Sequence, residues 1–129
     1  MARTFWRLGC ILGFLGVGAG AFGAHALRAR VPVDLLAVFE TAARYQMYHA
    51  LALLAVALLL ARAPSAAARA AGWLFAVGIV IFSGSLYALA LSGVRVLGAI
   101  TPIGGVCFLA GWIALTAAGT HLVSDRPAS

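Results

Sequence analysis

The chain is predicted to be all-α, an integral membrane bundle of four helices, and three observations predict it. Its uncharged stretches have the length of a bilayer: Leu8 to Leu27, Tyr45 to Ala61, Ala70 to Val94 and Val96 to Ser124. At about 1.5 Å of rise per residue, roughly 20 helical residues cover a hydrocarbon core about 30 Å thick. The stretches are continuously apolar rather than alternating; lipid admits only helices or closed barrels, and this pattern excludes the barrel. The hydrophobic fraction is 64%, the charged fraction 9% and the mean hydropathy +1.07, whereas a soluble domain carries about 25% charged residues. Four spans and short loops use up the 129 residues as one transmembrane domain, residues 1–129, with helices expected at about 5–27, 33–62, 68–92 and 97–121.

The first helix opens with Met1 to Arg7, which is basic, and carries Ala24-His25-Ala26 at its far end, so it imitates a cleavable signal. Its tract is longer than a signal's apolar region and its glycines are patterned, so it is expected to be retained. Gly9, Gly13, Gly16, Gly20 and Gly23 recur at spacings of four and three, which places them in one stripe. Such stripes let helix backbones approach closely, and in lipid that packing replaces the hydrophobic effect between helices. Packing within the bundle is the expected use, and an oligomer interface is the other.

The second helix is longer than a span. Pro32 suits a first helical turn, Asp34 complements the positive helix end, and no breaker follows until Pro64. In its first half Leu35, Leu36, Phe39, Ala42 and Ala43 form an apolar side, while Asp34, Glu40, Thr41 and Arg44 are polar. This amphipathic extension is expected to lie in the interface before the chain enters lipid near Tyr45. Glu40 and Arg44 stand at i,i+4 in the favourable order for an ion pair. Ala63-Pro64-Ser65 turns the chain into the third helix, and Ser92-Gly93-Val94-Arg95 turns it into the fourth. The fourth repeats the small stripe with Gly104, Cys107, Gly111, Ala114 and Ala118.

All nine basic residues are Arg, and they stand singly at helix ends as interfacial anchors rather than in a nucleic-acid patch. Cys10 and Cys107 are the only cysteines. On antiparallel helices their depths differ by roughly 12 Å, beyond disulfide reach, so both are expected to be packing residues.

Placed on antiparallel helices, the polar residues gather at one face of the membrane. His25 ends the first helix, Tyr45, Gln46, Tyr48 and His49 begin the second span, Ser85 and Tyr87 sit late in the third, and Thr101 with Pro102 sits early in the fourth. The opposite face holds Arg3, Arg7, Arg62, Arg69, His121 and Arg126. Polar groups in lipid are expensive and are functional candidates by default. The expected site is therefore a shared one lined by His25, Tyr45, His49 and Tyr87, with Glu40 and Arg44 at its rim. His25 points roughly 140° away from the glycine stripe at the helical turn angle, which is the weak point of that grouping. No HxxxH or HExxH spacing exists, so no metal and no cofactor are expected. The plainer reading of the cluster is interfacial anchoring by Tyr and helix-end capping by His.

Several segments also resemble a known family. Gly20-Ala21-Phe22-Gly23-Ala24-His25-Ala26-Leu27, then Phe39-Glu40-Thr41-Ala42 running into Tyr45-Gln46-Met47-Tyr48-His49-Ala50-Leu51, are similar to signatures of domain of unknown function 423. So are Phe82-Ser83-Gly84-Ser85-Leu86-Tyr87 and Leu97-Gly98-Ala99-Ile100-Thr101-Pro102-Ile103-Gly104-Gly105. The family comprises small bacterial inner-membrane proteins of the YgdD type and resembles animal transmembrane protein 256. The resemblance implies a multi-pass protein of the bacterial cytoplasmic (inner) membrane and no established activity.

The residues favour a non-enzymatic membrane protein without catalytic residues. It is expected to act as an accessory or assembly subunit, or as a binder of lipid or a lipophilic small molecule. The alternative is a small oligomeric transporter or channel using the His/Tyr polar site, but no acidic residue lies within a span. The partners expected are membrane lipids, and further copies of the chain or a larger membrane complex, but no nucleic acid. An even number of spans puts both termini on one side. Arg3, Arg7, Arg62, Arg69 and Arg126 stand there against Arg28, Arg30, Arg44 and Arg95 on the other, and that balance predicts cytoplasmic termini.

Overall fold

The computed structural model describes residues 1–120 and 122–123. His121, Asp125 and Arg126 lie outside the described residues. Among the described residues, four helices are long and apolar enough to cross a membrane. They are α1 (Ala2–Ala24), α2 (Val33–Arg62), α3 (Ala66–Ser92) and α4 (Thr101–Gly119). Single 3₁₀ turns, Leu27–Ala29 and Arg95–Ala99, follow α1 and precede α4.

The ends of the helices follow from local chemistry. The Ser65 side chain accepts a bond from the Ala68 amide at 3.1 Å and caps α3, so this helix starts two residues before the expected position. Gly93 ends α3 at φ 73°, a left-handed conformation that suits glycine, and its amide bonds the Leu89 carbonyl. The fourth helix starts later than expected. Residues 95–99 take the tighter 3₁₀ winding, and Pro102, which needs no amide partner, sits in the first turn of α4.

Helix α2 is the centre of the arrangement. On one side it packs along the whole of α1, and on the other along α3; α4 lies mainly against α3. Glycines set these approaches. A Cβ at Gly9 would meet Leu54, one at Gly16 the Met47 side chain, and one at Gly23 the Phe39 ring. The predicted stripe thus packs inside the molecule, through every second glycine; Gly13 only touches Ala50 and Gly20 faces open space. On α4, Gly104 receives the Phe82 backbone and Gly111 the Phe75 ring, while on α3 Gly72 receives Phe5 and Gly78 receives Phe108. Phe5, Leu53, Val56 and Phe75 are completely buried in a core to which all four helices contribute.

The amphipathic first turns of α2 are continuous with the span, in one helix from Val33 to Arg62. Their apolar side has neighbours to pack on: Phe39 is buried with Leu27 and Ala90, and Tyr87 packs against that group. Two expectations are corrected here. Glu40 and Arg44 are not an ion pair. Among the described residues the ion pair is Arg95 to Asp34, at 2.8 Å, joining the turn before α4 to the start of α2. Cys10 faces outward instead of packing, and Cys107 is half-buried; both thiols are free.

Helix α3 contains a π turn at Ile79–Ser83 that periodicity did not signal. Its wide winding sets the Ser83 hydroxyl against α2, donating to the Ala42 carbonyl at 2.8 Å, and sets the Phe82 backbone on Gly104 of α4. The adjacent residues of this turn therefore face different helices.

Candidate functional site

The polar residues expected at one face are neither at one depth nor in one site: Gly23 packs on Phe39, so His25 lies near the start of α2, and His49 stands about 15 Å or more deeper. Successive helical residues turn by about 100°, so Tyr45 and Gln46 leave α2 on different sides. Gln46 points toward α1 and α3. Its Nε2 donates to the Leu12 carbonyl at 2.8 Å and its Oε1 accepts the Tyr87 hydroxyl at 2.7 Å. One buried amide therefore ties three helices together.

His49 points toward α4. The indole Nε1 of Trp112 lies 3.1 Å from His49 Nε2, and an indole N–H can only donate. That nitrogen therefore accepts, the ring proton is on Nδ1, and Nδ1–H donates to the Tyr45 carbonyl 2.7 Å away. The neutral ring has both nitrogens engaged. It also stacks on Phe108 with centroids 3.5 Å apart and planes at 4°, and Tyr45 lies nearly parallel to both. Nearer the start of α2, Ser85 and Thr101 close a further bond of 2.7 Å between α3 and α4.

The expected grouping thus separates. Tyr45 and His49 belong to the α4 side of α2, Tyr87 belongs with Gln46 on the other side, and His25 is exposed at the end of α1, apart from both. The physical reasons are depth and helix phase: His25 lies well outside the level of His49, and side chains such as Tyr45 and Gln46 leave their helix in different directions. Gln46 and Trp112, absent from the expected site, turn out to be the partners of Tyr87 and His49. Gln46 was visible as a lone amide in an apolar span, whereas nothing in the sequence links Trp112 to His49.

Apolar grooves open toward lipid around α2, and two of them adjoin the polar residues. The α1–α3 groove, about 640 Å³, has Phe14 and Phe22 on one wall, Val80 and Leu91 on the other, and Gln46 and Tyr87 at its floor. The α2–α4 groove, about 580 Å³, is lined by Tyr45, Tyr48, His49, Phe82, Phe108 and Trp112, and runs along α4 from Pro102. Every buried side-chain nitrogen or oxygen among the described residues has a hydrogen-bond partner. Among the same residues no three His, Cys, Asp or Glu side chains stand together as a metal site would require.

The sequence profile of the family described as "Protein of unknown function (DUF423)" matches residues 19–105. The chain belongs to this family. It is 49% identical over 116 residues to a UPF0382 membrane protein of Staphylococcus epidermidis, an alignment that covers 90% of this chain and 94% of the relative. It is 47% identical over 117 residues to the UPF0382 membrane protein YwdK of Bacillus subtilis, covering 90% and 95%. No solved structure matches the chain. This family member is a membrane protein: its relatives carry that description, and its four apolar helices have the length to span.

Proposed function

We propose that the protein is a non-enzymatic component of the bacterial cytoplasmic membrane that binds a lipid or lipophilic molecule in the α2–α4 groove. The observation that carries this reading is the division of labour around α2. The buried polar side chains of its span, Gln46 and His49, are spent on neighbouring helices, and beside them an apolar, aromatic-walled groove stays open to the bilayer. A catalytic or proton-carrying role would need a group with a free lone pair or proton facing the groove. His49 has neither, because Trp112 and the Tyr45 carbonyl occupy its two nitrogens. The same commitment argues against the transporter reading, which relied on a His/Tyr polar site. Apolar walls with few polar groups suit a ligand bound by its hydrocarbon part.

Mass spectrometry of the solvent extract of protein purified in a mild detergent tests the reading. A lipid or lipophilic molecule retained in about equimolar amount is the expected result, and a chain stripped bare under conditions that keep it folded overturns it. We infer that both termini lie in the cytoplasm. The pairing of Arg95 with Asp34 adds to the charge imbalance by neutralising one Arg on the opposite side. A C-terminal reporter that is active only outside the cytoplasm would reverse this orientation.

A further inference from the structure

The free side of α2 carries two charges that the interhelical network does not use. Successive residues of the helix turn by about 100°, so Glu40 leaves α2 opposite His49, and Arg44 stands one turn on, within about 40° of Glu40. Both are exposed, and among the described residues neither takes part in an ion pair. They stand within the apolar layer. Gly16 of α1 packs against Met47 and Gly23 against Phe39, so the two charges lie beside residues 17–22 of α1, an uncharged run. Charges at that depth are costly and call for a partner. Glu40, Arg44, Tyr48, Leu51, Ala55 and Leu58 recur at intervals of three and four and are all exposed, so they form one ridge along α2. Beside it, between α1 and α2, runs an apolar groove of about 560 Å³ with Gly13, Val17, Met47 and Leu51 in its walls.

We propose that this ridge is the interface between two copies of the chain, related by a two-fold axis along the membrane normal, in which Glu40 of each copy pairs with Arg44 of the other. The basis is self-complementarity. Copies inserted in the same orientation place equivalent residues at the same depth, and an isologous contact that brings one residue to a second also brings the second to the first. Helical side chains lean toward the helix N-terminus, and the long Arg44 side chain covers the roughly 6 Å of rise between it and Glu40. One anion and one cation a turn apart on the same face are therefore neutralised twice across the axis. Below the charges the partner's Leu51 meets the α1–α2 groove at its own depth, and the small Ala55 lets the two backbones approach. Arg62 ends α2 in line with the ridge; at the membrane surface, solvent and salt screen it from its equivalent. The assignment does not rest on lipid binding in the α2–α4 groove.

The test is co-purification of two differently tagged copies, expressed together and extracted in a mild detergent. Wild-type copies should capture one another. Glu40→Arg expressed with itself, and Arg44→Glu with itself, set like charges against each other and should reduce capture by roughly threefold or more, the size of one exposed ion pair. Glu40→Arg expressed with Arg44→Glu should recover it, because one copy then carries two cations and the other two anions. That recovery also shows that both variants insert and fold, and a pair closed within one helix would not produce it. A wild type that captures no second copy, or capture unchanged in both charge variants, overturns the interface. A mixed pair no better than either variant alone overturns the pairing of Glu40 with Arg44. In a chain with Cys10→Ser and Cys107→Ser, oxidation in the membrane should join Ala55→Cys into a dimer and leave Ile113→Cys, exposed on α4, unjoined. Cross-linking through position 113 rather than 55 puts the contact on another face and overturns the ridge.

Discussion

Gln46 and His49 are less than one helical turn apart, yet each fastens α2 to a different neighbour, and their energetics should differ accordingly. Gln46 contributes directional bonds alone, to the Leu12 carbonyl and the Tyr87 hydroxyl. Interhelical hydrogen bonds in membranes average about 0.6 kcal/mol and reach about 1.7. A double-mutant cycle of Gln46→Ala with Tyr87→Phe, read by unfolding in mixed micelles, should therefore return a coupling of about 0.6 kcal/mol. A coupling indistinguishable from zero would mean that the two side chains do not bond in lipid. His49 adds a ring stacked on Phe108 to its bond from Trp112, and aromatic pairs add about 0.5–1.5 kcal/mol beyond burial. In the same assay His49→Ala should cost more than Trp112→Phe, which removes the indole donor but keeps an aromatic ring. Equal costs would show that the stack contributes nothing.

At the scale of the helices, glycines that look alike in the sequence have different duties. A Cβ on Gly104 would run into the backbone of Phe82. Backbone cannot rotate aside as a side chain can, so α3 and α4 would have to separate. Gly104→Ala should then destabilise by about 1–3 kcal/mol, the usual cost of overpacking. Gly20 faces open space, so Gly20→Ala should be neutral or raise stability by up to about 1 kcal/mol through the better helix propensity of Ala. Thermal denaturation of the two single variants in one detergent checks the contrast, and the reverse order would refute the packing described here. The π turn belongs to the same scale. Gly104 admits the Phe82 backbone and the Ala42 carbonyl receives the Ser83 hydroxyl, so the wide turn is held from both sides.

At the scale of the molecule, α1 is attached mainly to α2, and its chief link to α3 is the completely buried Phe5, whose ring fills the space left by Gly72 and packs edge-on against Trp73. Phe5→Ala should cost about 3 kcal/mol, the lower end for buried aromatic truncations, because lipid removes part of the hydrophobic gain. It should also raise hydrogen exchange in the first turns of α1 while leaving α3 and α4 protected. Uniform loosening of all four helices would mean that α1 is no separate unit. Toward the other end α1 and α3 part to form the α1–α3 groove, and α2 and α4 part to form the other. The molecule is thus a set of helices around α2, with grooves open to lipid between them.

The sequence by itself determined the number of spans, the turns between them and the close approach along the glycine stripe. Each depends on length, periodicity or local backbone preference, which are properties of neighbouring residues. It did not determine which polar side chain meets which. Tyr45, Gln46 and His49 were legible as one cluster, and only the positions of α1, α3 and α4 around α2 assign Gln46 to Leu12 and Tyr87 and His49 to Trp112. The π turn escaped for the same reason, since it is held by Gly104 and Ala42 on other helices. So did the ion pair: Glu40 and Arg44 have the right spacing, while Asp34 finds Arg95 far away in the chain. Partners across helices depend on rotation and packing against distant segments, and one chain read in order does not contain that information in any local pattern.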